Sequence, residues 1–95
     1  MSEQQLLLRL YIAGRTPAAE RAIRNLERII KEAYGEEEPC ALEVIDILER
    51  PQLAEDERIL ATPVVIKKLP PPVRRVVGDL SEREKVLIGL DLKES

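Results

Sequence analysis

Histidine, phenylalanine and tryptophan are absent from the 95-residue chain, and cysteine occurs once, at Cys40. Without histidine the chain lacks the commonest general base near neutral pH and the commonest metal ligand. A single cysteine forms no internal disulfide, which fits a reducing compartment. Without Phe or Trp the core has to be aliphatic, and only Tyr11 and Tyr34 could stack on a nucleobase. No apolar run approaches the roughly 20 residues of a membrane-spanning helix. The opening MSEQQLLLRLYIAG has no basic start and its apolar run is broken by Arg9, so it does not read as a signal peptide. Fifteen basic against eighteen acidic residues leave a net charge of −3, with no bulk attraction to nucleic acid. One small cytoplasmic domain with a modest core is the expectation for residues 1–95.

Chemical motifs are equally scarce. There is no phosphate-binding G-x-x-x-x-G-K-[ST], no G-x-G-x-x-G and no zinc-ligand spacing. The acidic runs Glu36-Glu37-Glu38 and Glu55-Asp56-Glu57 read as solvated segments, because no histidine or placed nucleophile accompanies them. Neither catalytic residues, nor a metal, nor a cofactor are expected, and the chain does not read as an enzyme.

What is present is a clear succession of elements. Leu6 to Ala13 is apolar except for Arg9, which suits a central strand covered on both faces, and Gly14 ends it. Thr16 is placed to cap a helix that opens on Pro17. Ala22/Ile23, Leu26, Ile29/Ile30 and Ala33/Tyr34 make one apolar stripe. Glu20–Arg24, Glu27–Lys31 and Arg28–Glu32 are i,i+4 pairs, and Gly35 is the stop. After an acidic loop at Glu36 to Pro39, Ala41 to Leu48 reads as a second strand parallel to the first, giving a right-handed βαβ unit. Pro51 opens a short helix carrying Leu53, Glu57 and Leu60, which Thr62-Pro63 terminates. Val64–Val65–Ile66 and Val73 to Val77 then form two strands joined across Pro70, Pro71 and Pro72.

The remainder reads in two ways. Ser81-Glu82-Arg83-Glu84 has the S-x-x-E form of a capping box, so a helix can start at Ser81. Yet Val86, Ile88, Leu90 and Leu92 recur with a period near two, which suits a half-buried strand, with Leu87 the apolar exception. Either short apolar runs are simply ambiguous, or this segment has two accessible packings a few kcal/mol apart.

Read with the helix, the order is βαβαββα, an α/β arrangement of thioredoxin-like type. Thr62-Pro63 falls just before the third strand, where such folds place a cis-proline. Thiol–disulfide chemistry would need two cysteines at the turn after the first strand. That turn is Ala13-Gly14-Arg15-Thr16-Pro17 and contains no sulfur, while Cys40 reads as a small buried or half-buried residue. A thiol-disulfide oxidoreductase is therefore the disfavoured alternative. Lys67, Lys68, Arg74 and Arg75 flank the prolines, and read either as an ordinary solvated hairpin or as a protein-binding surface.

Three long strings, LYIAGRTP, VIDILERPQLAEDERILATP and LPPPVRRVVGDLSEREKVLIGLDL, resemble the KaiB family of circadian-clock proteins in sequence and order, over about Leu8 to Leu92. The resemblance implies a non-enzymatic regulator that binds the N-terminal ATPase ring of KaiC, a hexameric clock protein, and modulates its phosphorylation cycle, with capture of KaiA where KaiA exists. It implies two folds: a ground-state homodimer or homotetramer with a βαββααβ arrangement, and a thioredoxin-like monomer that binds KaiC. The N-terminal βαβ half, about 6–50, would be common to both, and about 51–92 would rearrange. By position it points to Arg21, Lys67, Arg74 and Arg75, read as exposed basic residues, for KaiC contact. Gly89 and Asp91 match positions that bias the switch, with Asp91→Arg and Gly89→Ala expected to favour the monomer. Pro63 and Pro70 to Pro72 give a physical reason for a slow switch, since X-Pro isomerisation takes tens of seconds or more. Only Lys93-Glu94-Ser95 follow the GLDL motif, where cyanobacterial members usually carry a longer acidic tail. Shorter relatives of the family occur in KaiA-free timers and stress pathways, which is the alternative role.

Overall fold

The computed structural model describes residues 5–35 and 40–92, and the acidic loop expected at Glu36 to Pro39 lies outside the described residues. The elements are β1 (Leu6–Ile12), α1 (Pro17–Tyr34), β2 (Cys40–Asp46), α2 (Pro51–Asp56), β3 (Val64–Leu69), β4 (Arg74–Val77) and α3 (Arg83–Gly89). The βαβαββα order is the one expected. The strands form one sheet in the order β2-β1-β3-β4. β1 runs parallel to β2, from Leu6 opposite Cys40 to Ile12 opposite Asp46. β3 is antiparallel to β1, with Leu10 opposite Val65, and β4 is antiparallel to β3, with Val65 opposite Val76.

β1 is covered on both faces, which accounts for its apolar character, Arg9 excepted. Leu6, Leu8, Leu10 and Ile12 point to one side and pack with Ala19, Ala22, Leu26 and Ile29 of α1 and Val86, Leu87 and Leu90 of α3. Tyr11 points to the other side and packs with Ile45, Val64 and Ile66, over which Ile47, Leu53 and Ile59 close. The sheet is thus a middle layer, with α1 and α3 on one face and α2 on the other.

α1 is held at both ends. The Thr16 hydroxyl accepts the Ala19 N–H at 3.1 Å, Pro17 occupies the first helical position, and the Gly35 N–H reaches the Lys31 carbonyl at 2.8 Å. Its buried face carries Ala19, Ala22 and Ala33 beside Leu26 and Ile29, so the helix lies close on β1. Of the ion pairs read along it, Glu20–Arg24 forms at 3.9 Å.

The two short helices are different. Neither α2 nor α3 has a side-chain cap at its N-terminus. α2 ends at Asp56 and Arg58 takes a positive φ of 54°, so Leu60 is not part of its face and is 96% exposed. β2 stops at Asp46, two residues before the expected limit, because the Asp46 carboxylate accepts the Leu48 N–H in a turn.

The ambiguous segment is helical, and Leu87 decides it. Val86, Leu87 and Leu90 are buried together while Ile88 is 73% exposed, a helical period that a strand would violate. The expected capping box is not made. Asp79 takes the Ser81 N–H at 3.1 Å, Leu80 turns through a positive φ of 63°, and the helix opens one residue later, from Glu82. At its far end the Leu92 N–H bonds back to the Leu87 carbonyl at 2.8 Å, with Asp91 at a φ of 56°. The Thr62-Pro63 bond is cis, as the fold analogy suggested, and Leu69-Pro70 and Pro71-Pro72 are cis as well.

Two measurements follow from this packing. Leu26 is fully buried between α1 and the sheet, so Leu26→Ala should cost about 2–5 kcal/mol in urea unfolding. Gly89 faces Val76, and a Cβ added there would stand 2.6 Å from Val76 Cγ2, against a gain of about 1 kcal/mol in helix propensity. In a Val76→Ala background that obstruction is gone, so Gly89→Ala should be more favourable there than in the parent by about 1 kcal/mol. Equal effects in both backgrounds would mean that Val76 turns aside at no cost.

Candidate interaction site

The turn between β1 and α1, where a thioredoxin-like enzyme would carry its thiols, is built for rigidity. Gly14 turns it with a φ of 79°, and its N–H donates to the Asp46 carboxylate at 3.0 Å. That same oxygen takes the Leu48 N–H, so Asp46 ties together the ends of β1 and β2. Cys40 stands at the opposite end of the sheet, level with Leu6, so six residues of strand, roughly 20 Å, separate it from this turn. It is half-buried, and burial pushes its thiol pKa up, away from the reactive thiolate. Among the described residues no group of His, Cys, Asp or Glu could hold a metal, and no helix is long and apolar enough to cross a membrane.

The basic residues flanking the prolines do not make one patch. Strand alternation separates them. Lys67 and Arg74 are register partners on the α3 side of the sheet, whereas Lys68 and Arg75 point to the α2 side. On the α2 side, Glu57 gathers both: its carboxylate binds Lys68 Nζ at 2.6 Å and its carbonyl accepts from the Arg75 guanidinium at 3.1 Å. Glu57, read from the sequence as part of a solvated acidic run, is therefore the residue that fastens the end of α2 to β3 and β4. No spacing in the sequence signals this, because the contact depends on the antiparallel return of the chain.

Lys67 requires a correction. It was expected to be an exposed basic residue, yet it is 2% exposed and its ammonium donates to the Asp91 carbonyl at 3.3 Å. The reason is its place on β3, two residues after the buried Val65 on the same face, beneath α3. Arg74 and Arg75 are exposed, as expected, and the Arg74 side chain has no hydrogen bond or ion pair among the described residues. Arg21 is exposed on α1 and pairs with Asp79 at 3.3 Å. Gly89 is half-buried against Val76, Asp91 is exposed, and Pro63 and Pro70 bracket β3, with Pro71 and Pro72 exposed at the hairpin tip.

Asp79 is the residue that sequence reasoning missed. Its carboxylate receives the Ser81 N–H and the Arg21 guanidinium, while its carbonyl accepts from the Asn25 amide at 2.9 Å. Bonding to Ser81, and then the Arg21 guanidinium, hold its pKa below the ordinary value of 3.8. Through it the β4–α3 connection is tied to α1, and the Arg83–Glu32 pair at 3.1 Å adds a second tie.

A four-stranded sheet in the order β2-β1-β3-β4 with helices on both faces and a sulfur-free turn after β1 defines a domain of the thioredoxin-like fold class. The comparisons place it within that class. The KaiB domain family matches residues 9–92, and the chain belongs to that family. It is 57% identical over 86 residues to the circadian clock oscillator protein KaiB of Microcystis aeruginosa, covering 90% of this chain and 81% of the relative. The KaiB of Nostoc punctiforme is 53% identical over 91 residues, covering 96% and 86%. Among solved structures, the N-terminal domain of Synechococcus elongatus SasA aligns with a TM-score of 0.73 at 24% identity, over 93% of this chain and 88% of that one. Mitochondrial thioredoxin 3 of Saccharomyces cerevisiae aligns with a TM-score of 0.70 at 14% identity, over 94% and 79%. The chain is thus a circadian-clock family protein in a thioredoxin-like fold.

The Asp79 contacts predict an acid limb of stability. A carboxyl whose pKa is lowered by folding contributes fully above its unfolded value and loses that contribution as pH falls below about 4 toward the folded value. Asp79→Asn should therefore flatten the fall of thermal stability as the pH drops below about 4, and an unchanged slope would assign that limb to other carboxylates.

Proposed function

We propose that this chain is a non-enzymatic clock regulator that binds the N-terminal ATPase ring of a KaiC-type hexamer in its thioredoxin-like form, modulates the KaiC phosphorylation cycle, and takes part in capturing KaiA where KaiA exists. The observation that carries the proposal is the family match across residues 9–92, combined with a fold like that of the SasA N-terminal domain. In this reading, residues of about 51–92 also adopt the βαββααβ arrangement in a homo-oligomer, while about 6–50 keep their structure.

The physical support lies in how unequally the two halves are built. α1 has caps at both ends and 18 residues. α2 and α3 have six and seven residues and no side-chain caps, too short to persist without tertiary packing. Asp91, with its acidic side chain at the C-terminus of α3, opposes the helix dipole, so Asp91→Arg favours this helix by about 0.3–1 kcal/mol. Arg74, exposed and with no side-chain hydrogen bond or ion pair among the described residues, is the best placed of the named basic residues for direct contact with an acidic surface.

The test is size-exclusion chromatography with a KaiC-type hexamer and ATP, sampled from minutes to a day. A larger complex that grows in slowly supports both the partner and the fold change, and rapid formation keeps the partner with the monomer already dominant. No complex with active KaiC would reject the partner. Arg74→Glu should weaken the complex by about tenfold, on the order of 1.4 kcal/mol. The same variant should leave thermal unfolding within about 0.5 kcal/mol of the parent.

A further inference from the structure

Lys67 is the one charged residue among the buried side chains of the described chain. A basic side chain in that position has to be explained, since burying an ammonium without partners is costly. Its stem lies on the face of β3 that also carries the buried Val65, and its head reaches the C-terminal end of α3. There it meets the carbonyl of Asp91. That end of the helix is closed only by backbone bonds: Leu90 N–H to Val86, Asp91 N–H to Ile88 and Leu92 N–H to Leu87. None of these bonds uses the Asp91 carbonyl, and the ammonium supplies it with both a hydrogen bond and a positive charge where the helix dipole is negative.

We propose that Lys67 is a positioning residue that fixes α3 on the sheet through the Asp91 backbone carbonyl, and that it acts on any partner only through the placement of that helix. Two arms of contact support this. α3 is attached to β4 by the Gly89–Val76 approach and to β3 by Lys67, so the strand pair holds it at both its packing face and its end. A Lys67 that served a partner directly would have to leave the core and release Asp91.

The inference concerns the thioredoxin-like arrangement and needs no partner, so its test is separate from that of KaiC binding. Amide hydrogen exchange by NMR would be measured on the parent chain, Lys67→Met, Lys67→Arg and Asp91→Asn. Lys67→Met keeps the buried stem and removes the ammonium. The amides of Leu90, Asp91 and Leu92 should exchange at least about fivefold faster in it, while those of Leu10 and Ile29 hold their rates. Lys67→Arg should restore part of the protection, and Asp91→Asn, which keeps the carbonyl, should change little. Unchanged exchange at Leu90 to Leu92 in Lys67→Met would overturn the proposal, as would an equal acceleration at Leu10. In the parent chain itself, the Lys67 ammonium should be ordered relative to that of exposed Lys85, and equal mobility of the two would also overturn it. Where a second arrangement is populated, Lys67→Met should lower the fraction with helical shifts over 83–89 by at least about threefold, and an unchanged ratio would count against the role.

Discussion

Burial of β1 on both faces is the constraint on which the rest of the structure depends. A strand whose backbone is paired on both edges and whose side chains, Arg9 excepted, are covered above and below has little polar surface to offer water. It must therefore recruit a helix to each side. α1 supplies one cover through a stripe rich in alanine, and α2 with Ile45, Val64 and Ile66 closes the other. β2 is parallel to β1 while β3 and β4 return antiparallel, so the C-terminal half joins the sheet along the free edge of β1.

That attachment is made by a few contacts of different kinds. Val76, Val86, Leu87 and Leu90 bury apolar surface, Lys67 holds the end of α3, and the Asp79 and Arg83 ties reach back to α1. On the opposite face Glu57 fastens α2 to β3 and β4. Exposed ion pairs of this sort each contribute little, about 0–1 kcal/mol. Their sum, and not any one of them, sets how firmly residues 51–92 hold this arrangement.

Much of this was legible in the amino acids. Thr16, Pro17 and Gly35 delimit α1 by local chemistry alone, and the apolar run from Leu6 announces a doubly covered strand. The absent sulfur at Ala13 to Pro17 by itself disfavours redox chemistry, and the long family strings carry the assignment that the KaiB domain match established. The basic residues were the less legible part. Lys67-Lys68 and Arg74-Arg75 look like one cluster in sequence, but consecutive strand residues face opposite ways, so the cluster divides between two surfaces.

The sequence by itself determined the βαβαββ order through Val77, the limits of α1, the aliphatic core and the family, because each rests on neighbours within a few residues or on long matching strings. Only the tertiary structure decided that residues 83–89 form a helix, that Lys67 is buried, and that Glu57 and Asp79 are fasteners. The reason is the same in each case. The helix at 83–89 exists because Leu87 finds the core beside Val86 and Leu90, and Lys67 is covered because that helix lies over β3. Glu57 and Asp79 find partners 11 to 58 residues away. Local propensity carries no information about contacts that exist only once the sheet has closed.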